Sequence, residues 1–190
     1  MKLIDKIYLK LFVKSGFAYA EYLKKKGTFQ SQGEHTFISK AAEIPDPYLT
    51  IIGDNVWITA GCRLLCHDAS VIMINLRNNS HLDRVAPIII GSNCFLGNNV
   101  IVLPGVTIGK NTIIGTGSVV TKNVPDNSIY AGNPARFICR FEDYVQKIEK
   151  KTLTYPWHHL LTKHERHVFD ENLEKKLKAE RRKHFFDIQL

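Results

Sequence analysis

The sequence predicts an all-β solenoid of three-sided coils, with a helical segment before it and a helical extension after it. Three observations carry that reading. Across residues 90–120 an aliphatic residue returns at every sixth position: Ile90, Leu96, Val102, Ile108, Ile114 and Val120. Glycine follows directly at four of these steps, as Gly91, Gly97, Gly109 and Gly115. An earlier series of the same step runs through Ile52, Ile58 and Leu64, then stops. Helices repeat their faces every 3.6 residues and strands every 2, so neither produces a period of six. A chain that turns a corner every six residues, three corners to a coil, places all those side chains inside one narrow prism. Each coil of eighteen residues then buries its apolar side chains against the next.

Residues 1–30 form the predicted N-terminal helical segment. Ile4, Ile7, Tyr8, Leu11, Phe12 and Tyr22 recur at helical spacing, with Gly16 as an expected break or kink and Gly27 as a stop. The solenoid is expected over residues 31–138. Between Ile52 and Ile90 the interval is 38, which is two more than a multiple of six, so an excursion is inserted at or after His67. The polar run Arg77-Asn78-Asn79-Ser80 predicts a protruding loop over residues 69–87. Pro45 and Pro47 mark a second misphasing, expected as a small bulge in a coil. Pro104-Gly105, Gly109-Lys110 and Gly115-Thr116-Gly117 are the expected corners of the regular part. Residues 139–190 form the C-terminal helical extension. Phe141, Tyr144, Val145 and Ile148 have helical spacing, and a second helix is expected across residues 163–184.

Composition narrows the function. The 190-residue chain carries a net charge of +8, but residues 31–140 have eight basic and seven acidic side chains. The repeat body is therefore nearly neutral and gives no nucleic-acid footprint. No apolar run reaches the 18 residues of a membrane span, and Asp5, Lys6 and Lys10 interrupt any signal-like segment, so a cytoplasmic protein is expected. Cys62, Cys66, Cys94 and Cys139 are expected to be reduced thiols. Cys62 and Cys94 occupy repeat positions where a small hydrophobe serves. No GxxxxGK[ST] or dinucleotide-binding signature occurs. The tail histidines, including His164 and His167, lack an HExxH pattern, and no metal is expected there.

The six-residue repeats, the Cys66-His67-Asp68 segment before a loop, and the Ala131-Gly132-Asn133-Pro134-Ala135-Arg136 ending resemble the hexapeptide-repeat acyltransferases. The likeness is to their sugar O-acetyltransferases and xenobiotic acetyltransferases, and it covers roughly residues 34–140. It implies a left-handed parallel β-helix, a homotrimer with active sites between subunits, and acetyl transfer from acetyl-CoA, a cosubstrate and not a permanently bound group. His67 stands at the family's catalytic histidine position. An imidazole titrates near neutrality, so it can take a proton from an attacking hydroxyl and return it to the departing thiolate.

Other site residues follow from the resemblance and from their positions. Asp68 is expected to hold the loop or bind an acceptor hydroxyl. It should not orient His67, because consecutive side chains of an extended segment face opposite ways. Glu34 and Asp54, or a backbone carbonyl, are the expected ring-orienting partners. The acyl donor is expected along the later coils, where Gly97, Gly115, Thr116 and Gly117 leave space and amides, with Lys110, Lys122 and Arg136 as phosphate partners. The acceptor is expected among His35, Trp57, Asn78, His81, Asp83 and Arg84. Three alternatives are N-acetylation of an amino sugar or antibiotic, a zinc enzyme using His35, His67 and His81, and a non-catalytic trimeric scaffold.

Overall fold

The computed structural model describes Leu9, residues 12–161 and residues 170–186. The expected helical recurrence at Ile4, Ile7, Tyr8 and Leu11, like His164 and His167, lies outside the described residues. The chain divides into two compact units, Met1–Phe141 and Glu142–Leu190.

Short strands on three faces make the first unit a left-handed parallel β-helix. One face stacks β1 (Ser31–Gln32), β3 (Thr50–Ile52), β6 (Ile88–Ile90) and β9 (Thr107–Ile108). The second stacks β2 (Phe37–Ile38), β4 (Val56–Ile58), β7 (Cys94–Leu96), β10 (Thr112–Ile114) and β12 (Ser128–Ala131). The third stacks β5 (Arg63–Leu64), β8 (Ile101–Val102) and β11 (Val119–Val120). In the regular part, Leu96 pairs with Ile114 and Val102 with Val120, eighteen residues apart. A final strand, β13 (Arg136–Arg140), turns back antiparallel on β12, where the sequence had suggested only a proline turn.

The period of six is a period of burial. Ile52, Ile58, Leu64, Ile90, Leu96, Val102, Ile108, Ile114 and Val120 are all at most 1% exposed. Burying such a side chain contributes roughly 1.5–3 kcal/mol. Two positions earlier runs a second inward series of smaller residues: Val56, Cys62, Cys94, Val100, Thr112 and Ser118. Its hydroxyls are satisfied locally, Ser118 Oγ donating to Gly115 O at 2.6 Å and Thr112 Oγ1 to Lys110 O at 3.2 Å. Large residues thus fill the prism axis, while small ones fit beside its corners.

One corner carries an asparagine ladder. Asn55, Asn93, Asn111 and Asn127 all have left-handed backbones, with φ between 52° and 59°. Asparagine tolerates that region better than other residues with a Cβ. Their side chains bond from coil to coil, Asn55 to Asn93 at 3.1 Å, Asn93 to Asn111 at 3.0 Å and Asn111 to Asn127 at 2.8 Å. His35 holds the same corner in the first coil, with φ of 55°.

Helix α1 (Gly16–Lys25) starts at Ser15, whose Oγ accepts from Ala18 N at 3.1 Å. Gly16 is therefore its first residue and not a kink within it. Gly27 follows the helix as expected. The predicted loop over residues 69–87 contains a helix, α2 (Val71–Asn78), closed by Asn79 in the left-handed conformation. Phe141 begins α3 (Phe141–Leu153), and the second unit also holds α4 (His158–Leu161) and α5 (Glu171–Phe186). In that unit Tyr155 stacks on Trp157 at 4.5 Å, and the His184 ring meets Trp157 edge-on at 5.3 Å.

Candidate active site

The site lies where two departures from the repeat meet. Ser31, Phe37 and Glu43 step by six, and their partners Ile51, Trp57 and Arg63 all lie twenty residues on. The first coil therefore holds two extra residues, and a one-turn 3₁₀ helix at Pro47–Leu49 takes them up, opened by Asp46. The second coil is longer still. Arg63 pairs with Ile101, 38 residues away, where the following coil needs eighteen.

The long insertion leaves through an antiparallel stem. Ala86 N donates to Cys66 O at 2.9 Å, Asp68 N donates to Arg84 O at 3.0 Å, and His67 bridges Val85 between them. Alternation along this stem sends Cys66 into the core, fully buried, and His67 outward.

His67 Nδ1 lies 2.5 Å from Asp46 Oδ2. The imidazole is 41% exposed and the carboxylate 19%. An ionised carboxylate only accepts hydrogen bonds, so Nδ1 carries the proton and neutral His67 has its lone pair on Nε2. That tautomer suits a general base, with the ring fixed from behind by a charged acceptor. The orienting residue is thus Asp46, which the sequence reading missed, and not Glu34 or Asp54. Glu34 instead pairs with Lys24, and Asp54 Oδ1 accepts from the Glu34 amide at 2.8 Å. Placement between Pro45 and Pro47, at a misphasing one coil before His67, was the available signal.

Asp68 holds the loop, one of its two expected roles. Its Oδ1 accepts from Ser70 N at 3.1 Å, and its Oδ2 meets Arg84 at 3.0 Å. Hydrogen bonding from Ser70, side chain first and amide second, holds its carboxyl below the usual range, with Arg84 adding to the effect. Arg84 is accordingly a stem residue beside His67. Asn78, at the end of α2, and His81 and Asp83 beyond it are exposed on the same excursion.

Two expected acceptor residues lie elsewhere. Trp57 sits outward on the second face, stacked on Phe37 at 4.7 Å, with Phe17 of α1 edge-on at 5.1 Å. It anchors the helix to the solenoid. His35 occupies its left-handed corner and lines a depression of about 390 Å³ with Phe17, Glu21 and Glu34. Neither lies on the excursion that follows His67.

The glycines expected along the donor path have structural work. A Cβ on Gly97 would sit 2.7 Å from Thr116 N, so coil stacking demands glycine there. The amides of Gly97, Gly115 and Gly117 are not open, because they donate to Ile114 O, Tyr130 O and Asn98 O at 2.8–2.9 Å. Gly117 is a left-handed corner, φ 72°, with open space around it. Thr116, Lys110, Lys122 and Arg136 are exposed, and the Arg136 guanidinium also reaches Ala135 O at 3.1 Å.

All four cysteines are unpaired, and burial pushes the Cys94 thiol up to about 11. Among the described residues no group of three His, Cys, Asp or Glu side chains converges on a metal position. No described helix is long and apolar enough to cross a membrane.

Known proteins share this architecture. The family model described as bacterial transferase hexapeptide (six repeats) matches residues 87–122. Protein CapG of Staphylococcus aureus is 42% identical over 103 residues, covering 54% of this chain and 59% of that protein. Galactoside O-acetyltransferase of Escherichia coli (strain K12) is 39% identical over 111 residues, covering 58% and 54%. The chain spans little more than half the length of these curated relatives. A galactoside acetyltransferase solved in complex with coenzyme A aligns with a TM-score of 0.51 at 27% identity, covering 76% of this chain and 82% of that one. A hexapeptide-repeat acetyltransferase of Vibrio cholerae, complexed with acetyl coenzyme A, aligns with a TM-score of 0.58 at 23% identity, covering 72% and 82%; it shows the fold.

Proposed function

We propose that the chain, whose residues 87–122 match the hexapeptide transferase model, is a hexapeptide-repeat acetyltransferase that moves acetyl from acetyl-CoA to a hydroxyl of a sugar or polysaccharide precursor, with His67 as general base. One observation carries the reading: the 2.5 Å contact between His67 Nδ1 and Asp46, which leaves Nε2 as the basic atom beside the excursion. The likeness to a galactoside acetyltransferase bound to coenzyme A supports the donor and the acceptor class.

In this reading Nε2 takes the hydroxyl proton as the oxygen attacks the thioester carbonyl. The tetrahedral intermediate then collapses, the carbon–sulfur bond breaks, and the imidazolium returns its proton to the CoA thiolate. Asp46 holds the ring and stabilises its transient charge. The donor's phosphates would meet exposed Lys110, Lys122 and Arg136, and Thr116 and the open corner at Gly117 would flank its arm. Asn78, His81 and Asp83 would bind the acceptor. A homotrimer would cover apolar side chains that the single chain leaves bare, including Ile72, Met73 and Leu76 of α2, which are 62%, 60% and 82% exposed. A cytoplasmic location fits four unpaired thiols and the supply of acetyl-CoA.

The test follows thiol release from acetyl-CoA with a panel of sugars, nucleotide sugars and aminated antibiotics. His67→Ala is expected to lose about 10²–10⁴-fold in turnover while keeping its affinity for coenzyme A. Unchanged turnover would remove His67 from the mechanism. Transfer confined to amines would convert the reading to N-acetylation. Loss of both CoA binding and transfer in the parent would leave a scaffold.

A further inference from the structure

The second unit carries a charged surface that acetyl transfer does not use. Helix α5 buries one face: Leu177 is 2% exposed, and Leu173, one turn earlier, is half-buried. At 3.6 residues per turn, Lys175, Ala179, Arg182 and Phe186 form one ridge on the opposite side, spaced by four, three and four. Lys178 and Lys183 flank that ridge, and all these residues are exposed. From Lys175 to Phe186 there are six cations and a single acid, Glu180. Lys175 meets Glu171 at 2.9 Å, whereas Lys178, Arg182 and Lys183 have no ion-pair partner among the described residues. The ridge ends in an aromatic ring that is 81% exposed, next to Phe185 at 51%.

From this arrangement we propose that α5 docks the protein on an anionic lipid surface, with the Lys175–Arg182 side against the headgroups and Phe186 inserted below them. Charge complementarity selects the partner: lysine and arginine lying along one line of a helix are attracted to a negatively charged leaflet. The ring separates a membrane from a soluble polyanion. Cations alone would satisfy a polyanion, whereas an exposed phenyl ring gains free energy only where it leaves water. The placement of this ring beyond the last cation lets it reach the acyl boundary as the charges remain in the headgroup layer. The long basic side chains and the ring then act together on one flat partner.

The experiment is cosedimentation of the full chain with vesicles of phosphatidylglycerol and phosphatidylcholine, against phosphatidylcholine alone. Binding is expected only with the anionic lipid and should weaken as salt is added. Replacing Lys175, Lys178, Arg182 and Lys183 together by glutamine should weaken it by at least about 100-fold, at roughly five-fold per cation. Phe186→Ser alone should weaken it several-fold, with an unchanged circular dichroism spectrum for both variants. Transfer to a soluble sugar should persist in both, so failure of the docking idea and failure of the acetyltransferase reading remain distinguishable. Equal sedimentation of the glutamine variant overturns the proposal. So does preferential binding to polyphosphate or an oligonucleotide with Phe186→Ser indifferent, which would identify a soluble polyanion as the partner.

Discussion

Residues 93–114 and the corner that joins Asp46 to His67 obey opposite rules. In the first, each coil repeats the last: Leu96 stacks on Ile114, Asn93 bonds Asn111, and the amides at the corners bond the neighbouring coil. In the second, two coils depart from eighteen residues by different amounts, and the mismatch brings a carboxylate from one against an imidazole from the other. Regular stacking supplies a wall of fixed geometry. In the proposed reaction the base sits where that stacking fails, and the regular wall contributes only exposed side chains such as Lys110 and Thr116.

Separate damage to each region should separate stability from turnover. Leu96→Ala removes a fully buried side chain and is expected to cost about 2–5 kcal/mol, read as a lower denaturation midpoint, with kcat of the folded fraction unchanged. Asp46→Asn should do the reverse. An amide cannot hold the Nδ1–H tautomer or stabilise the imidazolium as a carboxylate does, so kcat should fall by roughly 10–10³-fold with the midpoint unmoved. If Asp46→Asn leaves kcat intact, the contact is structural and the contrast between the two regions collapses.

The regular region was legible in the sequence because it repeats. Each inward aliphatic is repeated six residues on, so burial, face and corner could be read from spacing alone. The asparagine ladder was legible too, at an interval of eighteen between Asn93 and Asn111, but that signal went unread. The irregular region offered much less. His67 was accessible through its motif and the break in phase, whereas Asp46 lies 21 residues away and belongs to another coil. Pairing them requires knowing that both insertions leave the same corner. Helix α2 escaped notice for a related reason: its Ile72, Met73 and Leu76 are exposed, so no burial pattern distinguishes them. The open amides expected at Gly97, Gly115 and Gly117 failed differently, since glycine serves coil stacking as readily as it serves a ligand.

A titration should sharpen the contrast further. Burial raises the Cys94 thiol to about 11, so the folded chain keeps it neutral while the unfolded chain ionises it near 9. Its contribution is fully present below about pH 9 and is lost as pH rises toward 11, up to roughly 3 kcal/mol. Cys94→Val fits the register, since Val56 is its partner in the preceding coil, and should flatten part of the alkaline fall in denaturation midpoint. Cys62 and Cys66, also raised by burial, would keep the remainder. An unaltered alkaline limb in the valine variant would mean that the wall does not shield this thiol.

The smallest effect should come from the stem. Asp68 is held in its charged form by the Ser70 side chain and amide, then by Arg84, so its folded carboxyl titrates below the ordinary carboxylate value. The ordering it provides is complete above that ordinary value and fades as pH falls through the lowered one. Exposure lets water screen the Arg84 contact, so no change in midpoint is expected from Asp68→Asn. What should change is local opening: hydrogen exchange at the Ser70 and Asp68 amides should accelerate, while exchange at Leu96 and Ile114 stays as slow as before. Because His67 rides the same stem, a faster-opening stem should also widen its range of positions, loosen the Asp46 contact and reduce kcat by a few-fold. Uniform acceleration across the stem and the coils would show that the excursion and the wall open as one unit, and the division between them would not hold.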